Sequence, residues 1–299
     1  MLGRRLISAA IIIALLIFVF WLDYYLGQTT GRLALIFAPI LAIVAVMAAE
    51  EIRFMLSRQG AHPRFWLVLG GILTIMLFAS APALWKQYPE ICDIGKLGWL
   101  AIGFAGAFGL IICGEMLLYK KSDDALQRII KSIFIVMYVG LLGFFIQLRF
   151  MKSNEWGIVA MLSLVVTVKA SDTFAYLVGR AIGKEKLAPI LSPGKTIQGA
   201  IAALVFGSLG SLLVFFVLAP WITGEPGKTS LIAAILFGVV VTIAGIMGDL
   251  AESLIKRETD CKDSSSWLPG LGGVMDILDS LLAAAPAAIA FWISGAVGP

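Results

Sequence analysis

Long apolar runs recur along the chain, separated by short polar loops. A bilayer hydrocarbon core of about 30 Å takes about 20 residues of helix to cross. On that spacing nine segments qualify, at approximately 6–26, 33–49, 65–85, 97–118, 129–148, 157–177, 197–218, 231–250 and 277–296. The second is short, and the third contains Pro82. The runs do not alternate apolar with polar residues as barrel strands do, so helices are the elements they predict. The pattern therefore predicts an all-α fold: a polytopic membrane protein with about nine transmembrane helices. The first run follows Met1-Leu2-Gly3-Arg4-Arg5, a basic start that also suits a signal peptide. It ends in Trp21-Leu22-Asp23-Tyr24-Tyr25 without a small-x-small cleavage site, which favours a retained first span.

Orientation follows from the loops. With the N-terminus in the cytoplasm, inside segments hold 16 of the 23 Lys and Arg, outside segments hold 6, and Lys169 lies within a span. That bias predicts a cytoplasmic N-terminus and an odd number of spans; the protein is expected to be integral to the cell (inner or plasma) membrane with its active site facing the cytoplasm. Two inside loops, at about 178–196 and 251–276, are long and rich in Gly, Ser, Lys and Asp. They suggest a division into N-terminal transmembrane helices, 1–150, and a C-terminal transmembrane catalytic region, 151–299.

Composition narrows the field. Of 299 residues 60% are hydrophobic and 14% charged, where a soluble domain carries roughly 25%. Too few charges exist to cover a water-facing surface, which excludes a soluble enzyme, a disordered chain and a disulfide scaffold. The net charge of +4 comes without a basic stripe on a soluble face, so no nucleic-acid partner is expected. Cys92, Cys113 and Cys261 are scattered, and His62 is the one histidine, which is too little for a zinc site.

The strongest chemical signal lies in 248–279. Asp249, Glu252 and Lys256 are spaced to share one helix face, and Arg257 follows Ser253 by four. Lys262, Asp263 and a Pro-Gly-x-Gly-Gly turn (Gly270, Gly272, Gly273) come next, and Asp276 and Asp279 open the last span. One such aspartate alone would be a charge favoured by the helix dipole. Several, at the start of a helix entering lipid, are costly unless paired or bound to a cation. Carboxylate oxygens suit Mg²⁺ bridged to substrate phosphates, and glycines let backbone N–H groups approach a phosphate. The cluster reads as a phosphate and metal site at the cytoplasmic membrane surface.

A second segment, 169–199, contains Lys169, Asp172, Tyr176, Gly179, Arg180, Gly183, Lys184, Ser192, Lys195 and Thr196. Lys169 and Asp172 either neutralise each other or mark a polar cavity. Gly179 and Gly183 form a small-x-x-x-small pair that suits helix packing. Ser192-Pro-Gly-Lys195-Thr196 lacks the frame of a P-loop but offers a lysine and hydroxyls to phosphates. Glu115 reads as an acid paired near Lys120 and Lys121, and Asp23, Glu50 and Glu51 as loop or interface charges.

Residues 248–279 resemble the signature of the phosphatidate cytidylyltransferase (CDP-diacylglycerol synthase) family, S-x-x-K-R-x-x-x-x-K-D followed by P-G-H-G-G-x-x-D-R-x-D. Ser253, Lys256, Arg257, Lys262, Asp263, Pro269, Gly270, Gly272, Gly273, Asp276 and Asp279 match it in place. Residues 172–199 resemble the second block, D-x-x-A-Y-x-x-G-R-x-x-G-K and S-P-x-K-T-x-E-G. The chain departs at Leu271, Ile277 and Gln198, where the family has His, Arg and Glu. The resemblance implies a nucleotidyltransferase that makes CDP-diacylglycerol and pyrophosphate from CTP and phosphatidate. It implies catalytic roles for Lys256, Arg257, Lys262 and Asp263, and substrate binding by Asp172, Tyr176, Arg180, Lys184, Ser192, Lys195, Thr196, Ser253, Gly270, Gly272 and Gly273. Asp249, Asp276 and Asp279 would hold Mg²⁺, with room for a second cation such as K⁺, and a homodimer is expected. A CTP-dependent polyprenol or phytol kinase, and an inactive or cation-binding relative, are the alternatives.

Overall fold

A computed structural model describes residues 2–85, 94–120, 124–261, 264–265 and 272–299. It is almost wholly helical, as the apolar pattern predicts. Helices α1 (Leu2–Thr30), α2 (Phe37–Ser57), α3 (Phe65–Ala79), α4 (Gly95–Leu117), α5 (Ala125–Gly140), α6 (Leu142–Arg149) and α7 (Asn154–Ile182) come first. A hairpin of β1 (Lys186–Ala188) and β2 (Ser192–Thr196) follows, then α8 (Ile197–Leu213), α9 (Ala219–Thr223), α10 (Leu231–Glu258) and α11 (Met275–Ile293).

Every expected segment overlaps a helix, but the count of nine spans is not reproduced. Six spans among the described residues are long and apolar enough to cross a membrane: Gly95–Leu117, Ala125–Arg149, Asn154–Ile182, Ile197–Thr223, Leu231–Glu258 and Met275–Ile293. Helix α2 has 21 residues but carries Glu50, Glu51 and Arg53, and α3 has only 15. Pro82 stands in the 3₁₀ turn Ala81–Leu84 that follows α3, where its missing N–H costs no helical bond. Within Ile197–Thr223 the helix widens to a π turn at Val214–Leu218, just before Pro220, which cannot donate to the carbonyl one turn back.

The chain forms two compact units. The first takes Met1–Phe150 with Glu258–Ile277; the second takes Met151–Arg257 with Leu278–Pro299. In the first, the carboxylate of Asp23 is buried and does two things. It accepts Arg149 Nε at 2.7 Å, and it caps the start of α2 by accepting the N–H groups of Ile36 and Phe37 at 3.0 and 3.2 Å. Lys131 closes the other end of α2 by donating to the carbonyls of Leu56, Gln59 and Ala61. Asp23 is therefore a core residue and not the interface charge expected of it.

In the second unit small residues let helix backbones meet, as lipid-embedded packing favours. A Cβ at Gly210 would lie 3.2 Å from Ala170, joining α8 to α7, and one at Gly248 would lie 2.9 Å from Ala283, joining α10 to α11. An aromatic core of Trp156, Phe215, Phe237, Phe291 and Trp292 fills one end of this unit, and Trp292 donates to the Ser163 hydroxyl at 3.1 Å.

Candidate functional site

The site lies in the second unit, where α7 ends, α8 begins, α10 ends and α11 begins. Helix α10 is 28 residues long, about 42 Å, against a hydrocarbon core of about 30 Å. Asp249, Glu252 and Lys256 lie in its C-terminal turns. Gly248 admits the backbone of α11 directly beside Asp249; a Cβ there would run into the Asp279 carbonyl. This contact brings carboxylate oxygens of Asp249, Glu252 and Asp279 within 4.8 Å of one another.

Lysines flank the trio. Lys195 Nζ lies 2.7 Å from Asp249 Oδ2, and Lys256 Nζ lies 3.0 Å from Glu252 Oε2. On α7, Lys169 and Asp172 form an ion pair at 3.6 Å, and both act electrostatically on Asp279. Four carboxylates thus face three ammonium groups. Glu252 and Asp279 are buried, and three buried or half-buried acids so close together need positive charge between them. The donors are all hard carboxylate oxygens without cysteine or histidine, a set that fits Mg²⁺.

The hairpin delivers Lys195. Its strands pair antiparallel, with Lys186 opposite Thr196 and Ala188 opposite Ser192. Thr196 caps α8 by accepting the Gly199 N–H at 3.1 Å. Gly179 and Gly183 give the room: a Cβ on either would press on the Thr196 hydroxyl. The departure at Gln198 is structurally satisfied, since its Oε1 accepts the N–H groups of Lys184 and Glu185 at 3.1 and 3.4 Å. Arg257 Nε donates to the Leu191 carbonyl at 3.1 Å, tying the end of α10 to the hairpin. Arg180 and Tyr176 are exposed and bonded to each other at 3.1 Å, and Lys184 is exposed on the same loop. Ser192 and Ser253 are half-buried, in β2 and on α10.

Asp276 and the glycine turn belong to the first unit. Asp276 Oδ2 accepts the Gly273 N–H at 2.5 Å and the Ser264 hydroxyl at 2.9 Å. Gly272 has φ +89°, and its Cβ position would meet the Asp276 carboxylate, so only glycine suits this turn. Lys262, Asp263, Gly270 and Leu271 lie outside the described residues.

Two acids take places that differ from the sequence expectation. Glu252 shares a face with Asp249 and adds a third carboxylate beside Asp279; its i, i+3 spacing is the sequence signal for it. Glu51, expected at an interface, is buried and accepts from Ser264, Ser265, Val274 and Met275. Glu115 is a paired acid as expected, but with Arg64 and Arg128.

The fold is that of a helical membrane protein carrying an acid cluster flanked by lysines. The chain belongs to the cytidylyltransferase family, whose model matches residues 3–294. It is 28% identical over 291 residues to the phosphatidate cytidylyltransferase of Haemophilus influenzae, covering 96% of each chain. To that of Helicobacter pylori strain 26695 it is 34% identical over 229 residues, 73% of this chain and 78% of the other. To that of Mycobacterium bovis it is 30% identical over 278 residues, 87% and 81% of the two. The resemblance read in two C-terminal segments thus extends through nearly the whole chain.

Proposed function

We propose that this protein is a phosphatidate cytidylyltransferase, joining CTP to phosphatidate to give CDP-diacylglycerol and pyrophosphate. The observation that carries the reading is the trio Asp249, Glu252 and Asp279 with Lys195 and Lys256 against it, in a chain that matches cytidylyltransferases almost end to end.

A phosphate oxygen of phosphatidate attacks the α-phosphorus of CTP. A new P–O bond forms there, the bond to the β-phosphate oxygen breaks, and pyrophosphate leaves with that electron pair. The attacking phosphomonoester is already ionised at neutral pH, so no general base is required, and a site without histidine suffices. The task of the protein is to hold two anions together and in line. Lys195, Lys256 and Arg257 are placed to bind phosphates beside the acids, and Arg180 and Lys184 extend the basic surface along the hairpin. Mg²⁺ held by Asp249, Glu252 and Asp279 would neutralise triphosphate charge there. By the resemblance, Asp276 is a further metal ligand, Lys262 and Asp263 are catalytic and the glycine turn binds substrate, and a second cation would accompany Mg²⁺. The bias of basic residues toward the inside loops supports a site on the cytoplasmic face of the cell membrane.

The test uses purified full-length protein in detergent with phosphatidate, Mg²⁺ and CTP labelled in the cytosine ring. The expected result is labelled lipid and released pyrophosphate, lost on adding a chelator. Asp279→Asn should lower the rate at least about 100-fold, the scale of removing one electrostatic contact to a reacting centre. Phosphorylated lipid without cytosine label would instead mean a CTP-dependent kinase, and no lipid product would mean a binding protein.

A further inference from the structure

The loop ends of the first unit hold a second concentration of charge, which the carboxylate site does not use. A cavity of about 400 Å³ is lined by Ala61, His62, Arg64, Lys120, Asp124 and Arg128. Behind the lining, the buried Glu115 accepts Arg64 Nε at 3.0 Å and Arg128 Nε and Nη2 at 3.1 and 3.0 Å. This holds both guanidinium groups at the wall. Among the described residues, the three cations Arg64, Lys120 and Arg128 stand against the acids Glu115 and Asp124, so this set stays positive even with His62 neutral.

Two helices also begin here. Arg64 is the N-cap of α3 and Asp124 the N-cap of α5, and neither caps its helix with its own side chain. Helix N-termini favour negative charge within their first turn. Outside the cavity, Trp66, Leu117, Tyr119 and Leu126 are all exposed, Leu117 at 87%. Large apolar side chains so exposed on membrane helices face lipid, and Trp and Tyr settle at headgroup depth. The cations therefore sit level with the headgroups, beside a surface made for acyl chains.

We propose that this cavity binds the phosphate of an anionic phospholipid headgroup, with the acyl chains along Trp66, Leu117 and Leu126. Basic pockets between transmembrane helices recognise lipid phosphates in this way. Asp124 opposes the anion and favours a lipid whose headgroup also offers hydroxyl donors. The site needs neither the carboxylate trio nor the hairpin.

Native mass spectrometry of the detergent-purified full chain tests this, using phosphatidylglycerol against phosphatidylcholine. Wild type is expected to retain phosphatidylglycerol preferentially. His62→Ala combined with Lys120→Ala removes two exposed side chains and should weaken that retention about five-fold or more, leaving phosphatidylcholine unchanged. Asp279→Asn should keep the preference, and a large excess of inorganic phosphate should not displace the lipid. Equal retention of both lipids by wild type, or undiminished phosphatidylglycerol retention by the double variant, overturns the proposal. Displacement by inorganic phosphate overturns it in favour of a free anion, and loss of preference in Asp279→Asn moves the lipid to the carboxylate site.

Discussion

Glu51 is a charge whose role is structural. Its carboxylate accepts the hydroxyls of Ser264 and Ser265 at 2.9 and 2.5 Å and the N–H groups of Val274 and Met275 at 2.9 Å each. The first N–H groups of a helix have no partner within it, so this acid closes the start of α11. Gly273 must lack a side chain for Glu51 to approach. Glu51→Gln keeps the size but turns one acceptor into a donor that faces donors. It should cost about 2 kcal/mol, lower the midpoint of thermal unfolding in detergent and reduce pyrophosphate release. Glu50→Gln should change little, since the Glu50–Arg53 pair is partly exposed. Glu252 predicts a different signature. Glu252→Gln should raise the Mg²⁺ concentration for half-maximal rate about ten-fold or more while CTP titration changes less. At this scale the sequence was readable where partners are neighbours: Asp249 and Glu252 share a face at i, i+3. Glu51 was not readable, because its partners lie more than 200 positions away and only the fold brings them near.

At the scale of elements, the site depends on how closely α10 and α11 approach. Gly248 sets that approach, because even one methyl there meets backbone of α11. Gly248→Ala should shift Asp279 against Asp249 and cut the rate about ten- to a hundred-fold, with helical content unchanged by circular dichroism. Gly109→Ala on α4, where a Cβ meets nothing within 4 Å, is the matched control and should keep full rate. Helices were the legible elements, since 20-residue apolar runs have few other solutions in lipid. The hairpin was not: its five-residue second strand reads Ser-Pro-Gly-Lys-Thr, with no alternating apolar pattern. What fixes it is tertiary, through Gln198 on the loop before it, Arg257 at its tip and Lys195 on Asp249.

For the whole molecule, scarcity of charge first meant only a membrane, and then marked where chemistry gathers. Segments 248–279 and 172–199 together hold 16 of the 42 charged residues. Sequence position alone did not show that 258–277 joins the first compact unit while the acids of α10 and Asp279 stay in the second. That division rests on Glu51 and on Gln59, which donates to the Glu258 carbonyl, contacts that no local pattern encodes. Orientation is the property on which the reading of the site as cytoplasmic stands. One span, Ile197–Thr223, separates the hairpin from the loop before α10, so the two loops must lie on opposite faces. Ile190, 89% exposed at the hairpin tip, and Glu225, exposed in the other loop, report those faces. With Cys92, Cys113 and Cys261 replaced by alanine, a membrane-impermeant maleimide on intact cells should label Glu225→Cys and not Ile190→Cys. Inverted membranes should give the reverse. Labelling of Ile190→Cys from outside would place the lysines and acids away from cytoplasmic CTP, and the proposed reaction could not then run at this site.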